Sequence, residues 1–339
     1  MLVYALPLSF FLVMLETALG SYIVLYVLDV YGGIATRRLM APAPLALQKQ
    51  EAGEQKQEAG EEAGEDDEAE AHEGAKKQIS AKQAEKRVGV TKGFLVFQGL
   101  LYLVLALLAY WFGSYFAAES VFNGITGFYQ QYPLDRAWLS SQFTLLLVFA
   151  GLLLVYNVLL WFNARLLRWV VGGLAALVAL AELLVIGMAY RPLAAENLGG
   201  FFTVASIVAG ALALGGVLTA MLLGHWYLNT PTASGKPLEL ATLIMLIGLG
   251  LELVLSIFIH STIPSGLPQT GTPPISPGAL NVIRLVFGFV FTLGLGGLAY
   301  RLTRGRSFQS ATGMLYLAVA FAFTGEIMAR GLFFLPPLS

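Results

Sequence analysis

The stretch GFFTVASIVAGALALGGVLTAMLLGHWY, at residues 200–227, runs for 28 residues without Asp, Glu, Lys or Arg. A helix needs roughly 20 apolar residues to cross a hydrocarbon core of about 30 Å, so this stretch predicts a membrane-spanning helix. Seven further stretches of the same kind lie at about 5–30, 93–116, 140–162, 169–190, 238–260, 279–300 and 310–334. The sequence therefore predicts an all-α integral membrane protein, a bundle of eight transmembrane helices.

The composition agrees with a membrane protein. Hydrophobic residues make up 57% of the chain and charged residues 12%, and the mean hydropathy is +0.72. A soluble domain of 339 residues needs a largely polar surface, which this composition does not supply. The chain contains no cysteine, which excludes disulfides, thiolate metal sites and cysteine-ligated iron–sulfur clusters. Nothing in the sequence indicates a nucleic-acid partner.

The first apolar run and the basic residues of the connections predict the orientation of the bundle. The run from Leu8 to Val30 is too long for a cleaved signal and has no basic region before it, so it is predicted to be the first span. The predicted outer connections contain only two basic residues, Arg136 and Arg191. Because basic connections favour the cytoplasmic side, both termini are predicted to lie outside a cell (inner) membrane. The predicted inner connections are richer in basic residues, which include Arg37, Arg38, Lys86, Arg87, Lys92, Arg165, Arg168, Lys236, Arg301, Arg304 and Arg306.

The segment at 41–92 differs from the rest of the chain. It includes EAGEQKQEAGEEAGEDDEAEAHEGAKK at residues 51–77, which has no large apolar side chain. Such a composition cannot bury enough surface to fold alone, so we expect a disordered acidic cytoplasmic loop. It is interpreted either as a solvated linker or as a docking strip for a basic partner. The predicted organisation is a first helix with its basic flank at 1–40, this loop at 41–92, and a seven-helix bundle at 93–339.

Six charged side chains lie within the predicted spans, away from their ends. A charge at that depth is costly unless it faces protein, water or a partner. The predicted orientation places all six in the outer half of the bilayer, together with His260 at the outer end of its helix. The acids are Glu16, Glu182, Glu252 and Glu326, and the bases are Arg284 and Arg330.

These side chains predict a common polar pocket toward the outer side. A carboxyl group in low dielectric favours its neutral form, which suits a proton relay, a quinone pocket or a cation path. In this interpretation the four glutamates exchange protons, Arg284 and Arg330 hold the charge of the carboxylates, and His260 connects the site to the exterior. The alternative is structural: Glu326 with Arg330, one turn apart on one helix face, and Glu252 with Arg284 are ion pairs that hold helices together.

The histidines do not predict a haem. His225 lies near the inner end of one predicted helix and His260 near the outer end of the next, about 20 Å or more apart at 1.5 Å rise per residue. Two axial ligands must lie at one depth, so these two cannot share a haem, and no metal is expected in this chain. His225, beside Trp226 and Tyr227, is predicted to be a hydrogen-bonding residue at the membrane interface.

The last span contains TGEIMARGLFF, from Thr324 to Phe334. It resembles the Gly-Glu-x-x-x-Arg-x-x-Phe closing stretch of membrane anchor subunits of dimethyl-sulfoxide-reductase-type molybdoenzymes, and more broadly of polysulfide-reductase-like (NrfD-like) subunits. Gly325, Glu326 and Arg330 match the motif. The resemblance implies about eight helices with both termini outward, a quinol site near the outer side, no haem, and an iron–sulfur partner. The acidic loop departs from that family.

Together, these features predict a quinone-interacting, electron- and proton-handling membrane anchor subunit of a respiratory oxidoreductase complex. Its expected partners are the lipid bilayer and iron–sulfur or molybdopterin redox subunits, and its expected cofactor is quinone. Two alternatives stay open. One is a proton- or cation-coupled transporter that uses the same carboxylates, and the other is a structural or assembly protein whose buried charges only specify helix packing.

Overall fold

A computed structural model describes residues 2–40, 90–116, 136–162, 164–191, 194–195, 200–229, 234–258, 260–261 and 277–332. Three parts of the predictions lie outside these residues. They are residues 41–89 of the predicted acidic loop, the connection at 262–276, and the last two residues of the motif, 333–334. Within the described residues, eight helices are long and apolar enough to cross a membrane. The chain is a multi-pass membrane protein.

Eight helices follow one another along the described part of the chain. They are α1 (Leu2–Met40), α2 (Lys92–Phe116), α3 (Arg136–Trp161), α4 (Arg165–Tyr190), α5 (Phe201–Leu228), α6 (Lys236–Ser256), α7 and α8 (Phe308–Leu332). Helix α7 has three consecutive parts, an α-helical Pro277–Ile283, a π-helical Arg284–Phe291 and an α-helical Thr292–Arg304. Seven of the predicted spans agree with these bounds to within four residues. The first does not, because α1 continues as a helix beyond its apolar stretch.

The predicted all-α fold is confirmed, and the described residues add one short ladder outside the helices. Ala194–Ala195 (β1) pairs in antiparallel fashion with His260–Ser261 (β2), so that Ala195 is opposite His260. Helix α6 was predicted to reach residue 260 but ends at Ser256, because the backbone leaves the helix to form this ladder. His260 therefore belongs to a strand outside the helix, not to the outer end of α6.

Helices α1 and α5 form the centre of the bundle. In their most apolar stretches 78% and 72% of the residues are buried, compared with 28–44% in the other six helices. Their backbones touch: a methyl group on Gly20 would lie 1.8 Å from the Ala211 carbonyl oxygen, and one on Gly215 would lie 2.2 Å from the Gly20 carbonyl carbon. The two central helices thus meet without side chains between them.

Of five further glycines in α5 and α7, three allow close packing between helices and two do not. Gly216 lies against Met245 of α6, Gly224 against Thr312 of α8, and Gly296 against Met245, whereas Gly294 and Gly297 face open space. The remaining surface is apolar: Leu100, Val104 and Leu107, for example, are exposed along one face of α2. Such a surface fits a lipid environment.

Most basic residues of the described connections share one end of the bundle, which we name the basic end, whereas Arg136 and Arg191 lie at the opposite end. Lys92, Arg165 and Lys236 begin α2, α4 and α6, and Arg304 ends α7. Antiparallel contacts confirm that these termini are level. The Arg165 Nη2 atom donates to the Gly33 carbonyl oxygen of α1 (2.9 Å), and Tyr227 of α5 packs on Phe308 of α8. The other end, which holds the β1–β2 ladder, is named the ladder end.

Candidate functional site

A buried ion pair joins the first and last helices. The Arg330 guanidinium of α8 donates from Nε to Glu16 Oε1 (2.7 Å) and from Nη2 to Glu16 Oε2 (3.0 Å). Both side chains are 0% exposed. The two parallel bonds are the bidentate geometry in which an arginine holds a carboxylate most firmly. Glu16 therefore has a partner 314 residues away in sequence, which no local pattern indicates.

Arg330 has further partners in the same place. It forms the predicted ion pair with Glu326, one turn earlier on α8, and its Nη2 donates to the Ser206 carbonyl oxygen of α5 (3.4 Å). Gly210 of α5 leaves the room for this arrangement, since a methyl group there would lie 2.6 Å from Arg330 Nη2 and 2.7 Å from Glu326 Oε1. Arg330 is fully enclosed by protein.

The second predicted pair is also present. Arg284 Nη2 donates to Glu252 Oε1 of α6 (3.1 Å), and the Arg284 guanidinium lies 5.4 Å from the centre of the Phe289 ring. Arg284 is the first residue of the π-helical part of α7. A π-helical turn holds one more residue than an α-helical turn, and such turns are frequent at functional sites because they re-aim side chains.

Glu326 connects the two pairs. Its carboxyl group interacts electrostatically with both the Glu16 and the Glu252 carboxyl groups. Five side chains from α1, α6, α7 and α8 therefore form one continuous group, in the half of the bundle nearer the ladder end. We name it the carboxyl cluster: Glu16, Glu252, Arg284, Glu326 and Arg330.

The carboxyl cluster holds three acids and two bases. If all five were ionised, it would carry one uncompensated negative charge in a buried place, where a lone charge is costly. Two carboxyl groups can hydrogen-bond to one another only if one of them carries a proton. The arrangement thus suits one exchangeable proton, held between Glu326 and a neighbouring glutamate.

One predicted site residue is not brought into this cluster. Glu182 of α4 is fully buried, yet neither of its carboxyl oxygens has a hydrogen-bond partner among the described residues. It lacks the arginine contacts that the other three glutamates have. His260 lies in β2 at the ladder end, and its side chain lies outside the described part of the structure. Of the predicted pocket, the described residues thus bring together three glutamates and two arginines.

A further buried ion pair, between Asp29 and Arg168, was not predicted from the sequence. Asp29 of α1 accepts hydrogen bonds from Arg168 Nη2 of α4 (2.9 Å) and from the Tyr156 hydroxyl of α3 (2.9 Å). We name these three residues the aspartate cluster; they lie toward the basic end. Asp29 lies at the end of the predicted first span. A charged residue at that position is expected to flank a membrane-spanning helix rather than to lie inside the bundle. The continuation of α1 to Met40 places it inside.

His225 has the kind of partner that was predicted for it. Its Nδ1 atom lies 3.0 Å from the Tyr316 hydroxyl of α8, and His225 and Tyr316 are both exposed on the side of the bundle. This position agrees with a hydrogen-bonding residue near the basic end rather than with a haem ligand. It lies apart from the carboxyl cluster, which is in the other half of the bundle.

Comparisons of the chain with family models, with curated proteins and with solved structures found no match. The resemblance of Thr324–Phe334 to molybdoenzyme anchor subunits therefore stays a prediction.

Proposed function

We propose that this chain is a proton-handling, quinone-interacting membrane subunit of a redox complex, in which the carboxyl cluster accepts a proton from quinol. The electrons pass to an iron–sulfur or molybdopterin partner subunit. The basic end faces the cytoplasm and both termini lie outside the cell membrane, as the distribution of Lys and Arg favours.

The observation that carries this proposal is the excess of one acid in the carboxyl cluster. A set of buried ion pairs that served only to hold helices together would be balanced, because an unpaired buried charge destabilises the fold. The contact between Glu326 and its neighbouring glutamates provides a place for one proton. A group that can be both donor and acceptor at one site is what quinol chemistry requires of its protein.

The position of the motif supports the same interpretation. Glu326 and Arg330, which carry the resemblance to the anchor subunits, are the two residues that connect the other members of the carboxyl cluster. Gly325 is the third residue that matches the motif. It packs directly on Gly288, which belongs to the π-helical Arg284–Phe291 segment. The three matched positions thus lie at the centre of the site rather than on the lipid-facing surface.

A proton- or cation-coupled transporter is the second candidate. It is favoured by the aspartate cluster, because a transporter needs ionisable groups in both halves of the membrane, whereas a redox anchor that works near one face does not. Both candidates use the carboxyl cluster to exchange a proton, and they differ in partners and substrate.

Purification of the full chain with its native partners tests the proposal. We expect quinone and an iron–sulfur or haem protein to co-purify, and we expect membranes to oxidise a short-chain quinol with an artificial electron acceptor. Glu326→Gln should lower the turnover about 100-fold, since removing a general acid–base group typically costs that much or more. The matched control is Glu239→Gln, which changes an exposed pair with Lys236 and should leave turnover unchanged.

The opposite result is equally clear. If the chain purifies without quinone and without a redox partner, and no quinol is oxidised, the redox proposal is wrong. Glu16→Gln abolishing pH-dependent solute flux in vesicles would then establish the transporter.

A further inference from the structure

We propose that Glu182 is a proton-binding site separate from the carboxyl cluster. It holds a proton while α4 is packed on its neighbours and releases the proton only when this part of the bundle opens to water. The inference goes beyond the proposed function and does not depend on it, because Glu182 belongs neither to the carboxyl cluster nor to the aspartate cluster.

Glu182 lies on a buried face of α4 that contacts α1 and α3. A methyl group on Gly172 would lie 2.8 Å from the Tyr26 ring of α1 and 3.1 Å from the Tyr156 ring of α3. Residues three or four positions apart share a helix face. The buried residues that continue this face from Gly172 are spaced in that way: Ala175, Ala179, Glu182 and Ile186.

The side chains opposite Glu182 are apolar. Because α4 is antiparallel to α1 and α3, a residue ten positions after Gly172 is level with residues about ten positions before Tyr26 and Tyr156. On α3 that position is Leu146, which is 1% exposed. On α1 the face that carries Tyr22 continues to this level with two fully buried residues, Leu15 and Ala18.

Among the described residues, no charged side chain meets Glu182 from the helices packed on α4, which are α1, α3 and α5. Helix α3 has no Asp, Glu, Lys or Arg after its first residue, and α5 has none. The two acids of α1 are already paired, Glu16 with Arg330 and Asp29 with Arg168.

The titratable hydroxyl groups near this face are also engaged elsewhere. Three of them have partners toward the basic end: Tyr22, Tyr26 and Tyr156. On α4 itself, Tyr190 and Arg191 follow Glu182 by eight and nine residues, which is about 12 Å or more along the axis. Burial is therefore what sets the state of the Glu182 carboxyl group.

Burial without a partner holds Glu182 in its neutral form. Both carboxyl oxygens are enclosed and have no hydrogen-bond partner among the described residues. An ionised carboxylate there would have neither water nor a cation to stabilise it, so the group keeps its proton instead. The buried acids Glu16, Glu252 and Asp29 differ, because each lies 2.7–3.1 Å from an arginine nitrogen.

A second unpartnered side chain indicates where water enters. Gln142 lies one turn before Leu146 on α3, toward the ladder end, and is 1% exposed. Neither of its polar side-chain atoms has a partner among the described residues. Buried polar groups that lack a protein partner are commonly satisfied by water. Water that enters from the ladder end accepts the proton as the Glu182 O–H bond breaks, and it hydrates the carboxylate left behind.

The alternative is that Glu182 keeps its proton permanently and only fills space. An apolar side chain of similar size would fill that space without leaving a polar group unsatisfied. The two possibilities differ in whether the proton exchanges with the surrounding buffer.

The test is infrared spectroscopy of the purified full-length chain in phospholipid nanodiscs, without quinone or a redox partner. A protonated carboxyl group has a carbonyl band that a carboxylate and an amide lack. At neutral pH we expect a band of this kind that is missing from Glu182→Gln and that disappears reversibly in alkaline buffer. The matched control is Glu239→Gln, which removes an exposed acid paired with Lys236 and should keep the band.

Hydrogen–deuterium exchange of the α4 backbone around Glu182 measures the opening. In the alkaline buffer that removes the band, we expect exchange to be about tenfold faster in the unaltered protein than in Glu182→Gln, since exchange reports local opening. Comparison at one pH cancels the effect of pH on the exchange chemistry. Glu182→Asp keeps a carboxyl group and should shift the band rather than remove it, which decides the assignment if Glu182→Gln does not fold.

Three results would overturn the inference. Identical spectra of the unaltered protein and Glu182→Gln at neutral pH would mean that Glu182 is ionised in the folded chain. A band that persists in alkaline buffer would show a permanent proton, and equal exchange rates would show that release needs no opening. Because the samples contain no quinol, these results leave the redox proposal to be decided by its own turnover experiment.

Discussion

The Arg330 guanidinium is enclosed entirely by protein. Its position determines which of the neighbouring carboxyl groups stays ionised. It meets Glu16 from α1, Glu326 from its own helix and a backbone carbonyl from α5. An arginine stays charged under all physiological conditions, so it fixes one carboxylate as an anion. The remaining acids then share the exchangeable proton.

Part of this arrangement follows from local sequence. Glu326 and Arg330 are four residues apart on a helix, and that spacing alone predicts their contact. Arg284 and Glu252 were a plausible pair because they lie at similar predicted depths. The partner of Glu16 was not predictable, because hydropathy gives the depth of a residue but not the direction in which its side chain points around the helix.

Loss of the Glu16 charge should destabilise the fold. In Glu16→Gln the Arg330 charge loses its bidentate partner in a buried place, and breaking such a pair typically costs about 3–5 kcal/mol. Glu239→Gln, at the exposed pair with Lys236, should cost about 0–1 kcal/mol. Thermal unfolding in detergent measures both. Equal unfolding temperatures for the two variants would mean that Arg330 does not depend on Glu16.

Gly210 is predicted to be intolerant of any side chain. Gly210→Ala places a methyl group within 2.7 Å of Arg330 and Glu326, so the carboxyl cluster must shift, at a cost of about 1–3 kcal/mol. Gly151→Ala, with no neighbour within 4 Å, should be neutral or slightly stabilising because alanine favours a helix by up to about 1 kcal/mol. The comparison uses the same unfolding assay. An unchanged unfolding temperature for Gly210→Ala would show that the carboxyl cluster can accommodate a methyl group at this position.

At the scale of the elements, the π-helical part of α7 is the feature that hydropathy does not reveal. Arg284–Phe291 is as apolar as an ordinary span, and its wider turn leaves no mark in the composition. The Thr292 hydroxyl donates to the Phe287 carbonyl oxygen five residues earlier (2.8 Å), where the wider turn ends. The bounds of the other helices except α1 were predictable to within four residues, since they depend mainly on length and apolar content.

The α7–α8 crossing should depend on glycine at residue 325. A methyl group on Gly325 would lie 2.2 Å from the Gly288 Cα atom, and backbone cannot move aside as a flexible side chain can. We expect Gly325→Ala to lower the unfolding temperature by separating α7 from α8. Gly313→Ala on the same helix faces open space and serves as the control. If both variants unfold alike, the close crossing does not contribute to stability.

At the scale of the whole molecule, α1 carries one member of each charged cluster. Glu16 and Asp29 are 13 residues apart, which is about 20 Å along the helix, and they contact different neighbours, α8 and α4. The eight-helix bundle was predictable because lipid allows few alternatives. The separation into two clusters was not, because it depends on which helices surround α1.

The two clusters should be energetically independent. The destabilisation of the double variant Glu16→Gln/Asp29→Asn should equal the sum of the single variants within about 0.5 kcal/mol, as for distant sites without shared partners. Denaturant unfolding of the four proteins in one detergent provides the comparison. A coupling well above 1 kcal/mol would mean that α1 transmits a structural change between the two halves of the membrane.

The length of α1 has a consequence for whatever follows it. Gly33 lies level with Arg165, the first residue of α4, yet α1 continues seven residues further to Met40, about 10 Å at 1.5 Å per residue. Its last two turns thus extend beyond the first residue of α4, so the chain leaves α1 about two turns past the basic end of this neighbouring helix.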